Sequence, residues 1–343
     1  MASKKRLFIE MGVMALLIGV TFSILLRQCD LRDILTTIRS ADASYLALAI
    51  GCMVLFVFCG GWCVRVFFQS MGEKMSVGRC FRYSLTELFF SAITPSSTGG
   101  QPMQAVVMVD DGYSATATTA VLLAVAGLYK CAMLAIFFII YALNRAFLQP
   151  QLSGMYILFL LGVAANVILI AIILMGLFCR KLVNALSAKF LNLLLRMKIL
   201  KNPERAVERL NYRLNSFHEC ADFMRKHPLT VFRSFLITLL QRLSVLMVPY
   251  LVYRALGLSG IGVWQIMGLQ LILLVSSDMI PLPGSVGVSE SLFLVLYDAI
   301  FGKTLLYSAI MLCRGISFYL LLIVSGCSVL FTRYLNLRRK CRA

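Results

Sequence analysis

Histidine is all but missing from this sequence. The two present, His218 and His227, share one basic stretch. A serine or cysteine nucleophile driven by an imidazole base therefore has no base near the apolar segments, and a histidine-led metal site has no ligands. Acidic residues are scarce too: 15 Asp and Glu stand against 33 Lys and Arg, a formal net charge of +18. Charged residues of both signs make up only 14% of the chain, where soluble domains carry about a quarter. None of the 11 cysteines forms a Cys-x-x-Cys pair, so the usual thiol-redox and zinc signatures are missing. Cys52, Cys59, Cys131 and Cys327 lie within apolar runs and read as small packing residues. No metal or cofactor is expected.

What the chain has instead is hydrophobicity, 60% of its residues. Several apolar runs reach the ~20 residues that span a hydrocarbon core. The expected class is an all-α polytopic membrane protein, to which soluble domain counts do not apply. The excess positive charge sits beside the apolar runs, where positive-inside topology and anionic headgroups account for it. No nucleic-acid-binding motif is present, and no nucleic-acid partner is expected. Lys4-Lys5-Arg6 and the run to Leu26 imitate a signal peptide. That run is long, carries Glu10 and lacks a small-x-small cleavage site, so it reads as an uncleaved first span.

Six full transmembrane helices are expected, at roughly 7–26, 44–68, 115–143, 153–178, 229–254 and 303–331. The segment 27–43 balances Arg27, Arg32 and Arg39 with Asp30, Asp33 and Asp42 and reads as an external loop. A short polar loop holding Asn144, Arg145 and Pro150 joins the third and fourth spans. The stretch 179–228 is strongly basic, hence cytoplasmic. Within it Val207, Leu210, Leu214, Phe217, Ala221 and Met224 recur at helical spacing, as in a helix lying on the membrane face or packing on the bundle. The C-terminal Arg338-Arg339-Lys340 run places that end in the cytoplasm with the N-terminus. The whole chain, 1–343, is read as one membrane domain: a first half (1–178), the basic loop (179–228) and a second half (229–343).

Two irregular stretches interrupt this pattern. Thr94-Pro-Ser-Ser-Thr-Gly-Gly-Gln-Pro102 breaks the region 80–112, and Asp278-Met-Ile-Pro-Leu-Pro-Gly-Ser-Val-Gly-Val-Ser-Glu290 breaks the region 262–301. Aligning Pro95 with Pro283 puts Ser97 on Ser285 and Gly99 on Gly287. Each region has apolar arms too short to cross, stopped by proline. Both read as re-entrant helical hairpins, tolerated at depth only where protein or a wet cavity surrounds them. The topology above has them enter from opposite sides, as an inverted repeat requires, with a substrate site where the broken helices meet.

Six charged residues fall where charge is expensive: Lys130, Arg242 and Arg314, with Glu87, Asp278 and Glu290 in or beside the hairpins. Each costs ~2.5–3.5 kcal/mol at a helix centre on insertion scales. The plain reading is three ion pairs holding helices together. The functional reading is a site for a phosphate-bearing group, with the cations neutralising it and the carboxylates positioning the cations. Gly99, Gly100, Gly284 and Gly287 would then offer backbone contact. Thr94, Ser96, Ser97 and Thr98 read as caps and turn residues rather than nucleophiles.

These residues carry a resemblance. Thr94–Pro102, with Pro95, Gly99, Gly100 and Gln101, and Pro281–Glu290, with Pro283, Gly284 and Gly287, resemble the two signature stretches of the lysylphosphatidylglycerol synthase transmembrane-region family. Arg314-Gly-Ile-Ser-Phe-Tyr319 is similar to that family's arginine-plus-tyrosine pattern in the final helix. The family includes the flippase-like half of the bacterial multiple peptide resistance factor. The resemblance implies a lipid translocase of a bacterial plasma membrane, moving aminoacylated phosphatidylglycerol outward and so protecting against cationic peptides. It implies these motif residues and Tyr319 as substrate-binding positions. Full-length relatives carry a soluble aminoacyl-transferase domain. This chain stops at Ala343, so the expectation is a non-enzymatic translocase with a membrane phospholipid as substrate. A separate aminoacyl-transferase as partner, within a lysyltransferase system, is one alternative. An ion-coupled transporter of a small anion is another. Small residues in the spans permit a homodimer.

Overall fold

The computed structural model describes residue 12 and residues 31–152, 156–178, 222–277, 280 and 282–340. The first expected span apart from Gly12, the amphipathic stretch 207–221 and Asp278 lie outside the described residues. Among the described residues the regular structure is helical, with a single isolated β-bridge and no strand.

In chain order the helices are α1 (Leu31–Ser40), α2 (Ala43–Ser70), α3 (Val77–Ile93), α4 (Gly100–Asp110), α5 (Ala115–Gln151), α6 (Tyr156–Phe178), α7 (Pro228–Ala255), α8 (Val263–Ser277) and α9 (Val288–Arg314). A π-helical turn (Gly315–Tyr319) leads into α10 (Leu320–Lys340). Among the described residues four helical stretches are long and apolar enough to cross a membrane: α2, α5, α7 and Val288–Thr332, the last broken at Gly302 (φ 64°, ψ 163°). Their outer faces suit lipid, with Leu143 72% and Leu330 69% exposed.

Local chemistry explains the boundaries. The Asp42 carboxylate accepts from Ser44 N at 2.8 Å and caps α2. Ser76 caps α3. That helix stops at Ile93 because Thr94, preceding Pro95, is held in extended geometry. Pro228 opens α7, where its missing N–H costs nothing.

Two expectations are corrected. The segment 27–43, read as a polar connection between spans, holds a helix, α1, whose polar residues hid it from a hydropathy reading. The loop expected at 144–152 is largely helical. The chain kinks at Asn144 (φ −125°, ψ 24°), where the side-chain amide donates back to Ile140 O at 3.1 Å, and then continues helically to Gln151. Pro150 sits in that last turn.

The longest helix pairing is α2 against α7, with α3 packed on α2 and α10 on α3. Glycine permits this approach, as is usual in lipid. A Cβ on Gly60 would lie 2.8 Å from both Gln241 Nε2 of α7 and Ser84 Oγ of α3, and one on Gly61 would strike the Cys80 backbone carbonyl. The α3–α4 and α8–α9 pairs each fold back across a proline-containing break.

Candidate functional site at the paired breaks

The two breaks share the conformation of their turns and part at the last residue, where Gly99 is right-handed (φ −89°) and Gly287 left-handed (φ 86°). In the first, Ser97 N donates to Thr94 O and Thr98 N to Pro95 O, both at 3.2 Å. In the second, Ser285 N donates to Leu282 O (3.1 Å) and Val286 N to Pro283 O (3.2 Å). Both tips place two successive residues in the left-handed region: Ser96 and Ser97 in one, Gly284 and Ser285 in the other. The following helices start at matching positions, Gly100 and Val288. Pro95 and Pro283 then pair with each other as an isolated antiparallel bridge. The tips therefore touch, backbone to backbone. Left-handed serines are costly, ~1–3 kcal/mol each, and persist where surrounding structure holds them.

The glycines do work not foreseen from the sequence. The expectation was that their N–H groups face a ligand. Instead the Gly99 N–H donates to Thr94 Oγ1 (2.9 Å), and the Gly287 N–H donates to Glu290 Oε2 (2.7 Å). Side chains at Gly99 and Gly100 would collide with Thr94 and Ser91, and one at Gly284 with Phe318. These positions are small so that the breaks can close on their own helices. Thr94 also donates to Phe90 O at 2.6 Å and acts as a local cap, as expected.

A buried ion pair sits against the second tip. Arg314 Nε donates to Glu290 Oε1 at 2.7 Å, and Arg314 Nη2 donates to Gly284 O at 3.1 Å. Glu290 is only 2% exposed. The π-helical turn brings two aromatic rings to this arginine: Phe318 lies 4.3 Å and Tyr319 6.0 Å from its Cζ. The Tyr319 side chain also lies within electrostatic reach of Glu290 and Arg314. Guanidinium, carboxylate, phenol and backbone carbonyl thus converge where the tips meet.

A second charged group surrounds Tyr129 of α5. The Arg242 guanidinium, from α7, is 4.2 Å from the Tyr129 ring centroid and 4.8 Å from that of Phe56. The Lys130 ammonium lies 5.2 Å from the Tyr129 ring. The charge of Arg242 acts on Glu87, which accepts from Ser91 Oγ at 3.4 Å. Arg242 is 9% exposed, so its stacking is desolvated and correspondingly strong. Gly100 packs against the Glu87 backbone, which links this group to the first tip. Gln101 follows in the first turn of α4, half-buried. Of the residues expected to build the site, Asp278 is the one outside the described residues.

Sequence reasoning missed a third cluster. Asp111, just past α4, accepts from both Arg82 and the Tyr83 hydroxyl of α3. It clamps the open end of the first hairpin. An aspartate beside Gly112 looks like an ordinary turn residue, and nothing in the local pattern points back to α3.

The sequence model of the family described as "Lysylphosphatidylglycerol synthase TM region" matches residues 7–325. One relative is a "UPF0104 membrane protein" of Archaeoglobus fulgidus, 23% identical over 269 residues, covering 75% of this chain and 77% of the relative.

Proposed function

The chain belongs to the lysylphosphatidylglycerol synthase transmembrane-region family, and from that premise we propose that it is a lipid translocase moving an anionic or aminoacylated phospholipid between leaflets. In this reading 80–112 and 262–301 are re-entrant hairpins that enter a bacterial plasma membrane from opposite faces, within six full crossings. Both chain ends are cytoplasmic, and the tips meet near the midplane. The whole chain acts as one membrane domain, its two halves joined by the basic stretch 179–228.

The observation that carries the reading is the meeting of two like-folded breaks at Pro95 and Pro283 beside the buried Arg314–Glu290 pair. Such a pair is a poor choice for stability alone, since desolvation offsets much of the attraction. It suits exchange: a phosphate diester offers Arg314 an acceptor equivalent to the one Glu290 supplies, and guanidinium binds either bidentately. Glu290, released, keeps its second oxygen on the Gly287 N–H or receives an amine borne by the headgroup. Arg242 and Lys130, with Glu87, extend a like set of charges toward the first tip.

The test is leaflet exposure in proteoliposomes carrying fluorescent phosphatidylglycerol or its lysyl ester. Protein-dependent movement should be lost in Arg314→Ala and in Glu290→Gln while both variants remain folded and inserted. Movement unchanged in folded variants would remove the tip site from the mechanism. No movement of either lipid by the unaltered protein would overturn the translocase reading.

A further inference from the structure

We propose that the elbow between α2 and α3 is a second anion-binding site, built for a phosphate group and separate from the tips. A cavity of about 740 Å³ opens there, lined by Arg65, Gln69, Glu73, Lys74, Ser76 and Arg79 among others. Cavities that hold small molecules run ~300–1,000 Å³. Three cations in this wall face one carboxylate.

Membrane topology alone explains exposed cations such as Lys74 and Arg79 just beyond a span. Arg65 lies within α2, more than a turn before its end, where snorkelling brings its head to the same elbow. The guanidinium rests on the Trp62 ring, 4.5 Å from its centroid. Its buried Nε has no hydrogen-bond partner among the described residues. A buried donor on a charged group is costly to leave unmade. An acceptor with several oxygens in the cavity would meet the part of the guanidinium that Arg65 gives to the wall.

The rest of the wall is shaped for the same ligand. The Tyr113 hydroxyl donates to Lys74 O at 3.2 Å and holds that turn in place. Arg79, in the first turn of α3, contributes to the same wall. The start of α3, capped by Ser76, adds a partial positive charge. Arg79 and Thr94 sit at opposite ends of α3, ~22 Å apart along its axis. A ligand held at the elbow cannot touch the tip, so this site stands whether or not the protein translocates lipid.

The phosphate could arrive on a lipid headgroup or as free phosphate, and Trp62 can report which. The chain has two tryptophans, and Trp62 is the one beneath Arg65. A Trp264→Phe variant of the full chain, in neutral detergent micelles, makes Trp62 the sole emitter. It is titrated with phosphatidylglycerol and, separately, with inorganic phosphate. A saturable change in emission is expected. Affinity should fall about tenfold in Lys74→Gln and in Arg79→Gln, each removing one charged donor, and should rise in Glu73→Gln. All three positions are exposed, so the fold tolerates the changes. Response to phosphatidylglycerol alone assigns the site to lipid headgroups, and response to both assigns it to phosphate itself. No saturable response to either probe, a response indifferent to the three charge variants, or one abolished by Arg314→Ala would each overturn the proposal.

Discussion

Glu290 and Arg314 stand at equal distances in sequence on either side of Gly302, and their side chains meet at 2.7 Å. They are 24 residues apart, and a straight helix would hold them ~36 Å from each other. Gly302 supplies the fold-back, with φ 64° and ψ 163°, a conformation reserved for residues without a Cβ. The ion pair is thus the closure of a hairpin, set by one glycine at its bend.

Gly302→Ala should strain that bend by ~1–3 kcal/mol and loosen the closure. Thermal unfolding of the purified protein should show the loss. Coupling between positions 290 and 314, measured by a double-mutant cycle in the Gly302→Ala background, should shrink with it.

In the unaltered background Arg314→Ala should be the most damaging single change at the pair. It strands a buried carboxylate, a defect worth ~3–5 kcal/mol. Glu290→Gln retains an oxygen for the Gly287 N–H and should cost less. The double variant should be more stable than Arg314→Ala alone. A double variant that is the least stable of the three would show that the two side chains act independently.

Thr94→Val should destabilise the first tip, because the Gly99 N–H loses its acceptor in a buried place, at ~1–3 kcal/mol. Thr94→Ser keeps the hydroxyl and should behave nearly as the parent. Equal melting temperatures for the two variants would remove the cap from the account of this break.

The same substitution at two points of α2 should act with opposite signs. Gly61→Ala drives a methyl into the Cys80 carbonyl and must part α2 from α3, costing ~1–3 kcal/mol. Gly51→Ala meets nothing within 4 Å and should be neutral or gain up to ~1 kcal/mol from helix propensity. Unfolding of the two variants side by side checks the contrast.

The breaks were legible in the sequence because proline and glycine constrain backbone directly. Aligning Pro95 with Pro283 from sequence alone matched two residues that pair in space. The charges inside apolar runs were equally visible, since each stands out against its surroundings. Which carboxylate meets which arginine was not. That choice depends on the bend at Gly302, a residue that reads as any other glycine between two apolar arms. Helix α1 and the kink at Asn144 were missed for a related reason. Polar residues in a helical turn look like a loop when hydropathy is the guide. The internal hydrogen bonds of the Gly99 and Gly287 N–H groups were not legible, because ligand approach and tight self-packing make the same demand on sequence, the absence of a side chain.

The Pro95–Pro283 bridge also dictates an order of assembly. The first tip is made early in synthesis, but its partner belongs to the last third of the chain. Until Pro283 arrives, the left-handed serines at Ser96 and Ser97 have no opposing backbone to hold them. The first tip must wait unfinished, and long-range closure of this kind is slow. Completion of the tip is then a late step that registers whether both halves are present.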